Sequence, residues 1–138
     1  MRKLLLLSTL IGMSLFGCFY DDNSGDGAPM ENLEGIWYGR GLMSVTDGGQ
    51  AVYGRTELEL RLRDQGGGNY LATYFVRSYD LGYREDREEM WTYNNGIIYF
   101  PNGSATEVED ETIVFNRTWQ KNGATVQPDI TLRLRAPL

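Results

Sequence analysis

Thr56-Glu57-Leu58-Glu59-Leu60-Arg61-Leu62-Arg63 alternates without a break between apolar and charged residues. Leu58, Leu60 and Leu62 fall on one side of an extended chain, and Glu57, Glu59, Arg61 and Arg63 on the other. A period of two with one apolar face describes a half-buried antiparallel strand. Ile130-Thr131-Leu132-Arg133-Leu134-Arg135 repeats the pattern near the end of the chain. Between these two stretches the chain is punctuated by turn signals: Asn95-Gly96, Asn102-Gly103 and Asn122-Gly123, with Asp47-Gly48-Gly49 and Gly66-Gly67-Gly68 further upstream. Asn-Gly adopts positive φ easily and is the strongest short hairpin signal. The alternation and the turns predict strands over 35–45, 52–63, 69–79, 83–93, 96–100, 105–109, 111–120 and 125–135. No stretch downstream of the first 17 residues has a helical period. The expected fold is all-β: a small antiparallel meander β-barrel of about eight strands, with a β-sandwich as the alternative. An eight-stranded barrel has an interior that side chains fill or that holds one small ligand.

The chain has 138 residues, the span of one domain, and it contains no His and one Cys. Disulfides within the chain, His-based metal sites and every catalytic arrangement with an imidazole base are thereby excluded. No metal or other cofactor is expected, and no enzyme motif is present. The net charge is −6. An acidic domain repels phosphate backbones, so nucleic acid is not an expected partner.

Residues 1–17 read as a secretion signal, with Arg2 and Lys3 ahead of an apolar run from Leu4 to Phe16. That run is shorter than the roughly 20 residues of a membrane-spanning helix. It ends in Leu15-Phe16-Gly17-Cys18, which resembles the lipobox of bacterial lipoproteins. The resemblance implies lipidation of Cys18, cleavage before it, and attachment to the membrane through acyl chains. Phe19 follows Cys18 where the inner-membrane retention signal would have Asp, so outer-membrane residence is expected. Removal of Arg2 and Lys3 with the signal takes the net charge from −6 to −8. Residues 18–32, rich in Asp, Asn, Ser and Gly, read as a flexible tether. Asp22, Ser24, Asp26 and Gly27 start like a calcium-binding loop, but Leu33 stands where its closing Glu is required. Residues 33–138 form the barrel domain.

The first predicted strand opens Leu33-Glu34-Gly35-Ile36-Trp37-Tyr38-Gly39, and its Gly35-x-Trp37 resembles the start of the calycins: lipocalins, fatty-acid-binding proteins and avidins. The resemblance implies that Trp37 closes one end of a barrel and that an Arg of the last strand, Arg133 or Arg135, lies over it. Gly39 and Arg40 stand where a biotin-binding barrel would place its Asn. The Thr-Asp-Tyr loop and C-terminal helix of the larger lipocalins are missing.

A ligand inside such a barrel would be lined by Tyr70, Tyr74, Trp91 and Trp119. Leu71, Phe75 and Tyr79 lie on the opposite face of the third strand, which points to a partner surface or a subunit contact there. The run Arg84-Glu85-Asp86-Arg87-Glu88-Glu89 reads as a solvated strand with cross-strand ion pairs. Glu107, Glu109, Asp110 and Glu111 read as an acidic loop. The expected function is a non-enzymatic, membrane-anchored binding module of the bacterial cell envelope, for a small apolar or aromatic ligand or for an envelope partner. The alternative is a docking or inhibitor lipoprotein that uses its acidic surface against a basic envelope enzyme.

Overall fold

The computed structural model describes residues 30–138. The signal segment, the lipobox with Cys18, and the tether up to Pro29 lie outside the described residues. Among the described residues, nine strands follow one another: β1 (Gly35–Asp47), β2 (Gln50–Gly66), β3 (Asn69–Ser78), β4 (Tyr83–Asn94), β5 (Ile97–Tyr99), β6 (Ala105–Glu109), β7 (Thr112–Phe115), β8 (Trp119–Lys121) and β9 (Ala124–Ala136). Each neighbouring pair from β1 to β7 is antiparallel. The last strand, β9, pairs with β1 on one edge and with β7 on the other, which closes an eight-stranded meander barrel. The additional strand is β8, which pairs with the first residues of β9.

The expected strand over 111–120 is interrupted. β7 and β8 run along the same edge of β9, with Phe115 opposite Ile130 and Trp119 opposite Val126. The gap between them faces the stretch around Pro128, which has no N–H to offer a ladder. At that break Arg117 is buried.

The turns use the residues that the sequence supplied for them. Asn95-Gly96 and Asn122-Gly123 both place their two residues at positive φ, joining β4 to β5 and β8 to β9. The β6–β7 turn does the same with Asp110 and Glu111, at φ 51° and 58°, without a glycine.

The alternating apolar faces converge on one core. Trp37, Leu58, Leu60, Leu62, Tyr74, Ile113, Phe115 and Leu132 all reach 0% exposure. β1 can approach β9 closely because it reads Gly39-Arg40-Gly41: a Cβ at Gly39 would lie 2.2 Å from the Thr131 carbonyl oxygen. One end of the barrel is sealed by the segment just before β1. Leu33 is buried there, its N–H donating to the Tyr70 hydroxyl at 3.1 Å and its carbonyl accepting from Trp37 Nε1 at 3.0 Å. Tyr93 donates its hydroxyl proton to the Met30 carbonyl at 2.6 Å, and Met30 packs on the core. Residues 30–32, the described part of the expected tether, are thus held against the barrel.

Candidate functional site

The four residues expected to line a ligand chamber, Tyr70, Tyr74, Trp91 and Trp119, all face the interior and are all buried. The space between them is taken by their own rings and by Phe100 and Phe115. Tyr74 lies 4.9 Å from Phe115, 5.8 Å from Trp119 and 6.2 Å from Trp91, ring centre to ring centre. Trp91 meets Phe100 edge-on at 4.9 Å. Such edge-to-face contacts add about 0.5–1.5 kcal/mol each beyond burial.

Trp37 is a core residue, as expected. The Arg contact implied for it is corrected. Arg133 sits opposite Tyr38 in register, and Leu134 sits opposite Trp37. The period of two that buries Leu132 and leaves Leu134 packed on the core turns Arg133 and Arg135 to the outer face. There Arg135 lies over the Tyr38 ring at 4.8 Å.

The charge run of β4 is also corrected. Trp91 and Tyr93 point inward, so the same phase sends Glu85, Arg87 and Glu89 inward and leaves Arg84, Asp86 and Glu88 outside. Along the edge of this first half of β4 that faces away from β3, no strand pairs among the described residues, and side chains from β8 and the segment before it bridge the gap. Arg117 grips Glu89 with two nitrogens, at 2.6 and 3.2 Å, and Tyr74 donates its hydroxyl proton to the same carboxylate. Trp119 Nε1 donates to the Tyr83 hydroxyl at 2.9 Å and to Glu85 at 3.0 Å; Arg87 donates to Glu85 at 3.0 Å, and Tyr83 donates to it as well. Arg87 stacks over Trp119 at 5.1 Å and Arg117 over Phe100 at 4.9 Å.

Burial by itself would raise the Glu89 carboxyl, but the hydrogen bonds from Arg117 and Tyr74 outweigh it and hold the group below its ordinary value. Glu85 is lowered in the same way, against burial, by Tyr83, Trp119 and Arg87. Burial, reinforced by Glu85, pushes the Tyr83 phenol up to about 12. Tyr74 moves upward for the same two reasons, with Glu89 as its carboxylate. All these shifts favour the charge states that the network already uses. Trp91 Nε1, buried, has no hydrogen-bond partner among the described residues.

The outer face of β1 to β4 carries a groove of about 540 Å³. Tyr38 and Phe75, both half-buried, belong to its lining. Arg61 covers Phe75 at 5.4 Å. One row across the four strands reads Arg40, Glu57, Arg77, Arg84, each opposite the next in register. Glu57 sits 3.7 Å from Arg40 and 3.8 Å from Arg77. A second groove, also about 540 Å³, shares Arg40, Glu57 and Arg77 and continues to Leu42 and Tyr79. These two side chains are 54% and 77% exposed. Phe75 lies on the outer face of β3 and Tyr79 just beyond its end, both opposite the buried Tyr74 and Val76 side. The acidic loop residues Glu107, Glu109, Asp110 and Glu111 are exposed on the β6–β7 hairpin. Among the described residues, no three acidic side chains are grouped as metal ligands.

The architecture is consistent with a calycin-like barrel. In comparisons with known proteins, no family model and no curated protein matches the chain.

Proposed function

We propose that the protein is a non-enzymatic docking module, anchored to the outer membrane through lipid on Cys18, that engages an envelope protein with the outside of its barrel. One observation carries this reading. The interior side chains are packed against one another: Trp37, Tyr74 and Phe115 stand at 0% exposure, and Trp91, Tyr70 and Trp119 at 2%, 3% and 6%. A guest would have to displace packed aromatic rings. The outer face, in contrast, offers grooves with exposed aromatic, apolar and charged side chains together, the mixture enriched at protein interfaces. The anchor fits this arrangement. The 12 positions from Cys18 to Met30 span at most about 40 Å, which keeps the barrel close to the membrane.

A photo-crosslinking residue at Phe75, introduced into the full chain in its host envelope, tests the reading. It should trap one discrete protein, and Cys18→Ser should abolish both labelling by a palmitate analogue and the trapped product. Trapping of lipid alone, or labelling that survives Cys18→Ser, contradicts it. The alternative partner, a basic envelope enzyme, has its own surface in the exposed acids of the β6–β7 hairpin. A crosslinker at Glu109, rather than at Phe75, would trap that partner.

A further inference from the structure

We infer that the groove across β1 to β4 is the docking site for an acidic, extended peptide segment of a protein partner, one that carries an apolar side chain beside its carboxylates. The inference rests on the docking reading above and names the chemistry of its partner.

Arg77 and Arg84 stand directly opposite each other on neighbouring strands, on the same outer face. Like charges in that position destabilise a sheet. Glu57 takes up part of the Arg77 charge at 3.8 Å. No ion pair or hydrogen bond engages the Arg84 guanidinium among the described residues. The neighbouring Arg135 is spent on no carboxylate either; it stacks on Tyr38. The groove sets five arginines, Arg40, Arg61, Arg77, Arg84 and Arg135, against three carboxylates, Glu57, Glu59 and Asp86, an excess of positive charge in a chain of net charge −6. A carboxylate laid between Arg77 and Arg84 would relieve their repulsion and receive the forked hydrogen bonds that guanidinium groups make best.

The apolar part of the site identifies the occupant as peptide rather than as a simple anion. The groove is continuous, through Arg40, Glu57 and Arg77, with the one that reaches Leu42 and Tyr79. Inorganic phosphate or a polyphosphate would use the arginines and leave Leu42, Tyr79 and the half-buried Phe75 unused. A peptide with alternating acidic and apolar residues uses both sets.

The test uses the full chain in detergent and a fluorescein-labelled Asp-Glu-Leu-Asp-Tyr-Glu peptide, followed by anisotropy. Binding should saturate at one peptide per chain and weaken about tenfold or more when salt is raised to about 0.5 M. Arg77→Gln with Arg84→Gln should weaken it about tenfold or more, while Arg63→Gln, on the same strand face but outside the groove, should leave it unchanged. Both groove arginines are exposed, so the double variant keeps its fold; its thermal midpoint should stay within a few degrees of the parent's, because relief of the like-charge pair offsets the lost Glu57 and Tyr79 contacts of Arg77. Equal binding of the Asn-Gln-Leu-Asn-Tyr-Gln peptide, no binding, or displacement of the peptide by polyphosphate at matched charge overturns the inference. Crosslinking from Phe75 that persists in the double variant would overturn it as well, while leaving the docking reading in place.

Discussion

Glu89 holds the opening between β4 and β8 together. Its carboxylate accepts from Arg117 twice and from Tyr74, and it is the carboxylate that pairs with Arg117, which also stacks over Phe100. Removing one partner of such a pair leaves a buried charge without compensation, which typically costs about 3–5 kcal/mol for a full burial. Glu89 and Arg117 keep 14% and 9% side-chain exposure, so Glu89→Gln should cost about 2–3 kcal/mol, read by denaturant unfolding. The pH dependence has a fixed sign. The folded-state value of Glu89 lies below the unfolded one, so its contribution is complete above the unfolded value of about 4.3 and is lost as pH falls through the folded value. Glu89→Gln should therefore flatten the loss of stability below about pH 4.5. Asp80, held down to about 2 by hydrogen bonds from Arg55, acts in the same direction and keeps some of the slope. An acid limb identical to the parent's would show that the Arg117–Glu89 pair is not formed in solution.

Among the elements, the β6–β7 hairpin is the one whose turn residues fit their geometry least well. Asp110 and Glu111 both hold positive φ, a conformation that Asn-Gly adopts with less strain. Asp110→Asn with Glu111→Gly should stabilise the barrel by about 1 kcal/mol and raise the thermal midpoint by about 4–8 °C. A lower midpoint would mean that the Asp110 and Glu111 side chains have a structural role. The strands themselves were largely legible in the sequence, because Leu58-Leu60-Leu62 and Ile130-Leu132-Leu134 mark the core face through burial alone. The break at 116–118 was not, because it depends on which residue of β9 lies opposite, here Pro128. The inward charges Glu85, Arg87 and Glu89 were legible in principle. Their phase continues from Trp91 and Tyr93, but a run of six charged residues reads as solvated unless that phase is carried backward through it. The position of Arg133 followed from the same alternation, and the expected contact with Trp37 ran against it. The outer row Arg40, Glu57, Arg77, Arg84 could not be read at all, since it requires the register of four strands.

At the scale of the molecule, the barrel separates its chemistry by face. Its core is apolar and aromatic, with a polar network where the first half of β4 has no strand on the edge away from β3, and its outer face between β1 and β4 gathers arginine and exposed aromatic rings. Tyr74 with Phe115 and Trp91 with Phe100 pack at 4.9 Å between ring centres, so a guest at that point would have to displace them. The proposed function turns on one claim: the barrel binds outside, not inside. Native mass spectrometry of the full chain, extracted gently from its envelope and freed of bound proteins, tests it most directly. The account predicts the mass of the polypeptide with its lipid modification at Cys18 and nothing further, and no change after incubation with a panel of fatty acids and aromatic probes. A stoichiometric small molecule that survives extraction, or one probe taken up per chain with a shift in Trp emission, would contradict it.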